Sequence, residues 1–304
     1  MILVTGTSGA LGGLVHDRLA ALPDVDVVAG TRTASGGARR IDFDDPGSLA
    51  DGFAGVTVLV FVSAGYAEDD VVLARHGTVV EAAAEAGIRH VIYTSLAGSG
   101  DRLTIAVPHR WTEDRLAGAP FDVTVLRNGL YAEMPVGLAL MAAESAAATG
   151  VFSAPLGDGR VAVGAREDLA DVAARVAAEA YADVHAGRRS RHAGRAYELE
   201  GVAAVGGADI AAALSTALGR QIRYEQAALS DVRAALTALG LEPYQIGHTI
   251  SIFSNITAGF LEQRDGDLPA LLPTAPRPPL GLIADAIRAG GFASSSSVPA
   301  ASPR

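Results

Sequence analysis

A chain of 304 residues that is 49% hydrophobic is long enough for one large domain or two closely joined ones with a substantial core. Its net charge of −10 argues against a nucleic-acid-binding surface, and the absence of cysteine rules out disulfides, a thiol nucleophile and cysteine-ligated metal. There is no lysine either, so all 24 basic residues are arginines. No apolar run is long enough to cross a membrane, and because the first strand begins at once no signal peptide is expected. The expected setting is the cytoplasm, with no membrane partner.

Residues 1–4 (Met-Ile-Leu-Val) read as a short buried strand. Gly6, Gly9 and Gly12 follow, and then Leu11, Leu14, Val15, Leu19 and Leu22 recur at helical intervals. Glycines between a strand and a helix form the context of a dinucleotide-binding turn. Gly6 can take backbone angles closed to other residues, Gly9 holds no side chain against a pyrophosphate, and Gly12 lets the helix approach the strand. The helix start at Ala10, Leu11 and Gly12 offers free N–H groups and a positive dipole end. Thr7 and Ser8 add hydroxyl donors.

The second strand spans 26–30 and ends at Arg32. An acid there would accept from a ribose 2′-hydroxyl, whereas an arginine suits a 2′-phosphate. Arg32 therefore points to NADP(H), the alternative being a solvent-facing arginine. Arg39 and Arg40 are candidates to assist. Residues 41–43 read as a third strand, with Asp42 and Phe43 at the adenine end and Asp44 or Asp45 capping a helix over 46–53. The β-branched run 56–62 suits a central parallel strand buried on both faces. It leads to Val62, Ser63 and Ala64 beside the expected cofactor track. A helix over 69–86, a strand over 90–94 carrying Thr94 and ending at Ser95, a helix over 108–116 and a strand over 121–126 complete the alternation. Such alternation implies an α/β fold with a Rossmann-type, doubly wound parallel sheet. Ligands bind beyond the carboxyl ends of its strands, which gathers Gly6, Arg32, Asp42, Ser63, Ser95 and Asn128 on one edge.

The later chain reads as a smaller α/β domain, with helices over 135–148, 168–181 and 208–218 and a strand over 195–200. The expected division is a nucleotide-binding domain over 1–150, a mainly substrate-binding domain over 151–292 with some return to the first sheet, and a disordered tail over 293–304.

The segments 5–12 (Thr-Gly-Thr-Ser-Gly-Ala-Leu-Gly), 93–96 (Tyr-Thr-Ser-Leu), 126–131 (Leu-Arg-Asn-Gly-Leu-Tyr), 150–152 (Gly-Val-Phe) and 197–201 (Tyr-Glu-Leu-Glu-Gly) resemble the atypical short-chain dehydrogenases. Within these they resemble the NmrA-like group and its bacterial NADPH:quinone oxidoreductases. The resemblance covers roughly residues 1–245 and departs beyond them. It implies an NADPH-binding domain, a smaller substrate domain and a cleft between them, with a small aromatic or quinone-like substrate.

Ordinary short-chain dehydrogenases use a Tyr-x-x-x-Lys pair, which a chain without lysine cannot form. His109 and Glu113 share a helix face at i, i+4, and the resemblance places His109 where many relatives carry a lysine. Its implied role is contact with the nicotinamide ribose or proton donation, for which an ordinary histidine pKa near 6.5 is suited. Ser95 is the candidate to polarise a substrate oxygen. Asn128 and Tyr131 should line the cleft, whereas Tyr93 should pack in the sheet. The other histidines lack metal-ligand spacing, and residues 6–10 lack the final glycine of a hydrolase elbow. Two alternatives remain beside a reductase: a non-catalytic NADP-binding redox sensor of the NmrA type, and an epimerase or dehydratase of the extended short-chain type. The sequence leaves the oligomeric state open, a homodimer being the commonest soluble form.

Overall fold

The computed structural model describes residues 1–33, 36–63, 67–262 and 265–290. Its elements begin with β1 (Ile2–Val4), α1 (Ala10–Ala20), β2 (Val27–Thr31), β3 (Arg39–Arg40), α2 (Pro46–Gly52) and β4 (Val58–Val62). They continue with α3 (Asp69–Glu85), β5 (His90–Leu96), α4 (Ala106–Ala117), β6 (Asp122–Asn128), β7 (Leu130–Tyr131), α5 (Glu133–Thr149), β8 (Val151–Ala154) and β9 (Arg160–Gly164). The last are α6 (Arg166–His185), β10 (Arg195–Leu199), β11 (Ala204–Gly206), α7 (Gly207–Leu218), β12 (Arg223–Gln226), α8 (Leu229–Ala238), α9 (Pro243–Thr257), α10 (Leu268–Leu271) and α11 (Pro279–Ala289).

Seven strands form one sheet in the order β10-β6-β5-β4-β1-β2-β3, and its pairings are parallel. Strand side chains alternate between its faces. Ile2, Val4, Val58, Val60, Ile92 and Leu126 pack under α1 and α6. Leu3, Leu59, Phe61, Val91 and Tyr93 pack under α2, α3 and α4. Burial on both faces explains why these strands read as unbroken apolar runs. The winding direction reverses between β1 and β4, which opens a crevice at their carboxyl ends.

A second core lies beside this sheet. Ala139, Ala143 and Ala146 of α5 meet Ile210 and Leu214 of α7 and Ile283 and Ile287 of α11, together with Phe152 and Val161. Its strands form a three-stranded sheet, β11-β9-β7, and a pair, β12-β8. The chain interleaves the two cores: α5 precedes residue 150 yet packs in the second, whereas α6 and β10 follow it and return to the first.

The third strand is shifted from the expected 41–43 to Arg39–Arg40. The Ile41 N–H still pairs with the Thr31 carbonyl, but Ser48 then takes over the backbone. Its Oγ accepts from the Asp42 N–H at 2.9 Å and donates to the Asp45 carbonyl at 2.8 Å. Asp45 caps α2 by accepting from the Gly47 and Ser48 N–H groups. Asp42 and Phe43 therefore lie on a loop. Among the described residues no helix is long and apolar enough to cross a membrane, and no group of three or more His, Asp or Glu side chains could hold a metal ion. The expected tail over 293–304 lies outside the described residues.

Candidate nucleotide and substrate cleft

At the crevice between β1 and β4 lies a cleft of about 590 Å³. Gly6, Ser8, Gly9, Ala10, Leu11 and Gly12 form its floor. Gly6 takes a left-handed φ of +64°, which a side chain would strain. A Cβ on Gly12 would stand 2.4 Å from the Gly6 carbonyl oxygen, so glycine there sets how closely α1 packs on β1. Gly9 is the N-cap of α1, and no side chain caps the helix. Its first N–H groups are left to point at whatever lies on the floor. The Thr7 hydroxyl, expected to donate to the cofactor, donates to the Gly30 carbonyl at 3.2 Å and so ties the turn to β2; Thr7 is not among the residues that line the cleft.

The adenosine end expected from the sequence is lined by Arg32, Asp42 and Phe43, joined by Thr31, Ile41, Asp44 and Arg75. Arg39 and Arg40 are engaged elsewhere. The Arg39 Nη1 donates to the Gly52 and Ala54 carbonyls at the end of α2, and Arg40 pairs with Asp45 and Asp42. Arg75 pairs with Asp44 and Arg166 with Glu133. Of the arginines that line the cleft, Arg32 alone has no carboxylate partner among the described residues.

Val62, Ser63, Tyr131 and Arg166 line the rest of the cleft. The Arg166 guanidinium sits 5.0 Å from the centre of the Tyr131 ring. Thr94 lies behind this wall: its hydroxyl accepts from the Ser63 N–H at 3.0 Å. Asn128, expected to line the cleft, is buried and not among the residues that line it; its Oδ1 has no hydrogen-bond partner among the described residues. Ala64 lies outside the described residues.

His109 and Ser95 are brought together, but not on the cleft wall. Four residues of helix advance about 6 Å and two of strand about 6.6 Å, so His109 and Glu113 of α4 fall opposite Tyr93 and Ser95 of β5. His109 Nδ1 lies 2.9 Å from the Tyr93 hydroxyl. The Ser95 hydroxyl donates to Glu113 Oε1. Glu113 also receives Arg127 at 2.6 Å and Arg110 at 2.7 Å, and Arg127 reaches on to Glu198 at 2.9 Å. Burial works to raise the Glu113 carboxyl, but the bonds from Arg127 and Ser95 and the charge of Arg110 outweigh it and keep it below the usual carboxylate range.

These contacts bear on how Ser95 could polarise a substrate oxygen and on how His109 could donate a proton, and leave the alternative role of His109 as a ribose contact open. Ser95 is buried with its proton committed to a carboxylate, so it is not poised to polarise a substrate oxygen. Burial, aided by Arg110, pushes His109 down to about 4, so at pH 7 only roughly one molecule in a thousand carries an imidazolium there. Tyr93 is fully buried, as expected for a sheet residue; burial raises its pKa as well.

The sequence profile described as the NmrA-like family matches residues 1–267. The chain is 34% identical to quinone oxidoreductase 2 of Escherichia coli K12 over 252 residues, which cover 79% of this chain and 82% of that one. The structure of the Escherichia coli NADPH-dependent quinone oxidoreductase complexed with NADPH aligns at a TM-score of 0.80 and 30% identity, covering 94% of this chain and 99% of that one. The structure of the Citrobacter sp. triphenylmethane reductase complexed with NADP(H) aligns at 0.81 and 27%, with the same coverage. The glycine turn, the parallel sheet and the match across most of the chain lead to one assignment: the chain belongs to the NmrA-like family.

Proposed function

We propose that this protein is an NADPH-dependent reductase acting on quinones or related conjugated carbonyl compounds. The observation that carries the cofactor assignment is Arg32, which alone among the arginines lining the cleft makes no ion pair with a carboxylate among the described residues. The floor from Gly6 to Gly12 and the uncapped start of α1 suit a pyrophosphate, and Arg32 suits a 2′-phosphate. Bound there, NADPH would supply the hydride. The Tyr131 ring offers a flat wall to a planar acceptor. The relatives support the acceptor class, since the Escherichia coli protein is named for quinones.

The absence of lysine excludes the Tyr–Lys pair, and His109 is held neutral by burial. No side chain identified in the cleft is therefore set up as a strong base for a secondary alcohol. Reduction of a quinone makes the lesser demand, since the proton can come from solvent. The sign of the pH dependence separates the two cases. An imidazolium donor of ordinary pKa would make turnover fall about tenfold per pH unit above 6.5. Here kcat for quinone reduction is expected to stay level from pH 6 to 8, and simple secondary alcohols should be poor reverse substrates. Stopped-flow pH profiles check this; a tenfold fall per unit above pH 6.5, or rapid alcohol oxidation, would contradict it.

A further inference from the structure

Arg75 is an interior residue of α3 that reaches the adenosine end of the cleft, where Arg32, Asp42, Phe43 and Asp44 also stand. Its guanidinium is gripped along one edge. Nε donates to Asp44 Oδ1 at 2.8 Å, and Nη2 donates to Asp44 Oδ2 at 2.7 Å. Such a two-point grip fixes the plane of the group as well as its position. It also meets the positive charge with a full carboxylate, which leaves Arg75 a poor second ligand for a phosphate beside Arg32. What it retains is a flat, immobilised face. Another flat group at this end, the Phe43 ring, packs edge-to-face with Phe61 at 5.6 Å between centres.

The geometry points to the Arg75–Asp44 pair as the stacking platform for the adenine base of the cofactor. This deepens the nucleotide-binding reading and rests on it. Planar cations stack favourably on nucleobases, and a guanidinium already held in place gives up little rotamer freedom when the base arrives. The platform recognises adenine with or without a 2′-phosphate. Arg32 and Arg75 therefore divide the task, the first setting preference for NADPH over NADH and the second adding affinity for both.

Fluorescence titration of parent and Arg75→Met with NADPH, NADH and reduced nicotinamide mononucleotide, which lacks adenosine, tests the division. The pair is partly solvent-exposed, and such pairs contribute little to stability, so the variant should fold. Both dinucleotides should weaken about tenfold, with their ratio unchanged, and the mononucleotide should bind as in the parent. A loss confined to NADPH would make Arg75 a phosphate ligand and overturn the platform, as would no loss for either dinucleotide or a loss for all three. Asp44→Asn keeps the guanidinium but loosens it and should also weaken NADH; parental NADH affinity would contradict the clamp. A parent that binds neither dinucleotide overturns the nucleotide-binding reading and the platform together. A parent that binds both while Arg75→Met stays unaffected overturns the platform alone.

Discussion

Gly9→Asp should give a folded protein that no longer binds NADPH. Of the three spaced glycines it is the one that tolerates a side chain structurally. Its φ of −90° and ψ of 163° are ordinary extended backbone, whereas Gly6 is left-handed and Gly12 has a backbone oxygen 2.4 Å from any Cβ. A Cβ on Gly9 meets only the Gly6 oxygen at 3.3 Å, a tight contact that a shift of a few tenths of an ångström would relieve. The carboxylate, however, would stand at the N-terminus of α1 where the pyrophosphate belongs. Two like charges 4 Å apart repel by about 4 kcal/mol at an effective dielectric of 20, or about a thousandfold in affinity. Calorimetry with NADPH beside a thermal melt decides the matter. Parental affinity in a well-folded variant would mean that the turn is structural only.

Arg32→Glu should reverse the cofactor preference. The parent is expected to bind NADPH more tightly than NADH. With Arg39 and Arg40 engaged by backbone carbonyls and carboxylates, and Arg75 paired with Asp44, no neighbour would replace the lost contact. Loss of a charge-assisted hydrogen bond and the added repulsion should weaken NADPH by about a hundredfold or more. NADH should bind as well as before or better, because a carboxylate at this strand end accepts from the ribose 2′-hydroxyl. Titration of both cofactors against both proteins gives the ratio directly; equal affinities in the parent would remove the role assigned to Arg32.

The elements that proved legible from the sequence carry their signal locally. Gly6, Gly9 and Gly12 between an apolar run and an amphipathic one announce a strand–turn–helix without any distant partner. The β-branched run at 56–62 announces a strand covered on both faces. What stayed hidden depends on partners far apart in the chain. Arg166 reaches the cleft because α6 folds back from the second core, and nothing near residue 166 says so. Arg75 is one arginine among many until Asp44 grips it. Arg32 is marked by its place at the end of the second strand, but that Arg40 is tied up in ion pairs with Asp42 and Asp45 shows only in the structure. The same holds for His109, whose residue type suits a proton donor but whose burial in the α4–β5 packing depresses its pKa. Ser95 lies at the expected strand end, yet Glu113 takes its proton.

On the proposed function, the protein itself carries hydride from NADPH to a quinone. The most direct test is a single-turnover measurement on purified, flavin-free protein, mixing NADPH or NADPH doubly deuterated at C4 with excess quinone. Stoichiometric NADPH oxidation without added flavin, slower with the deuterated cofactor, is the expected result. Tight NADPH binding with no oxidation by any quinone or enone would contradict it and leave a nucleotide sensor in its place.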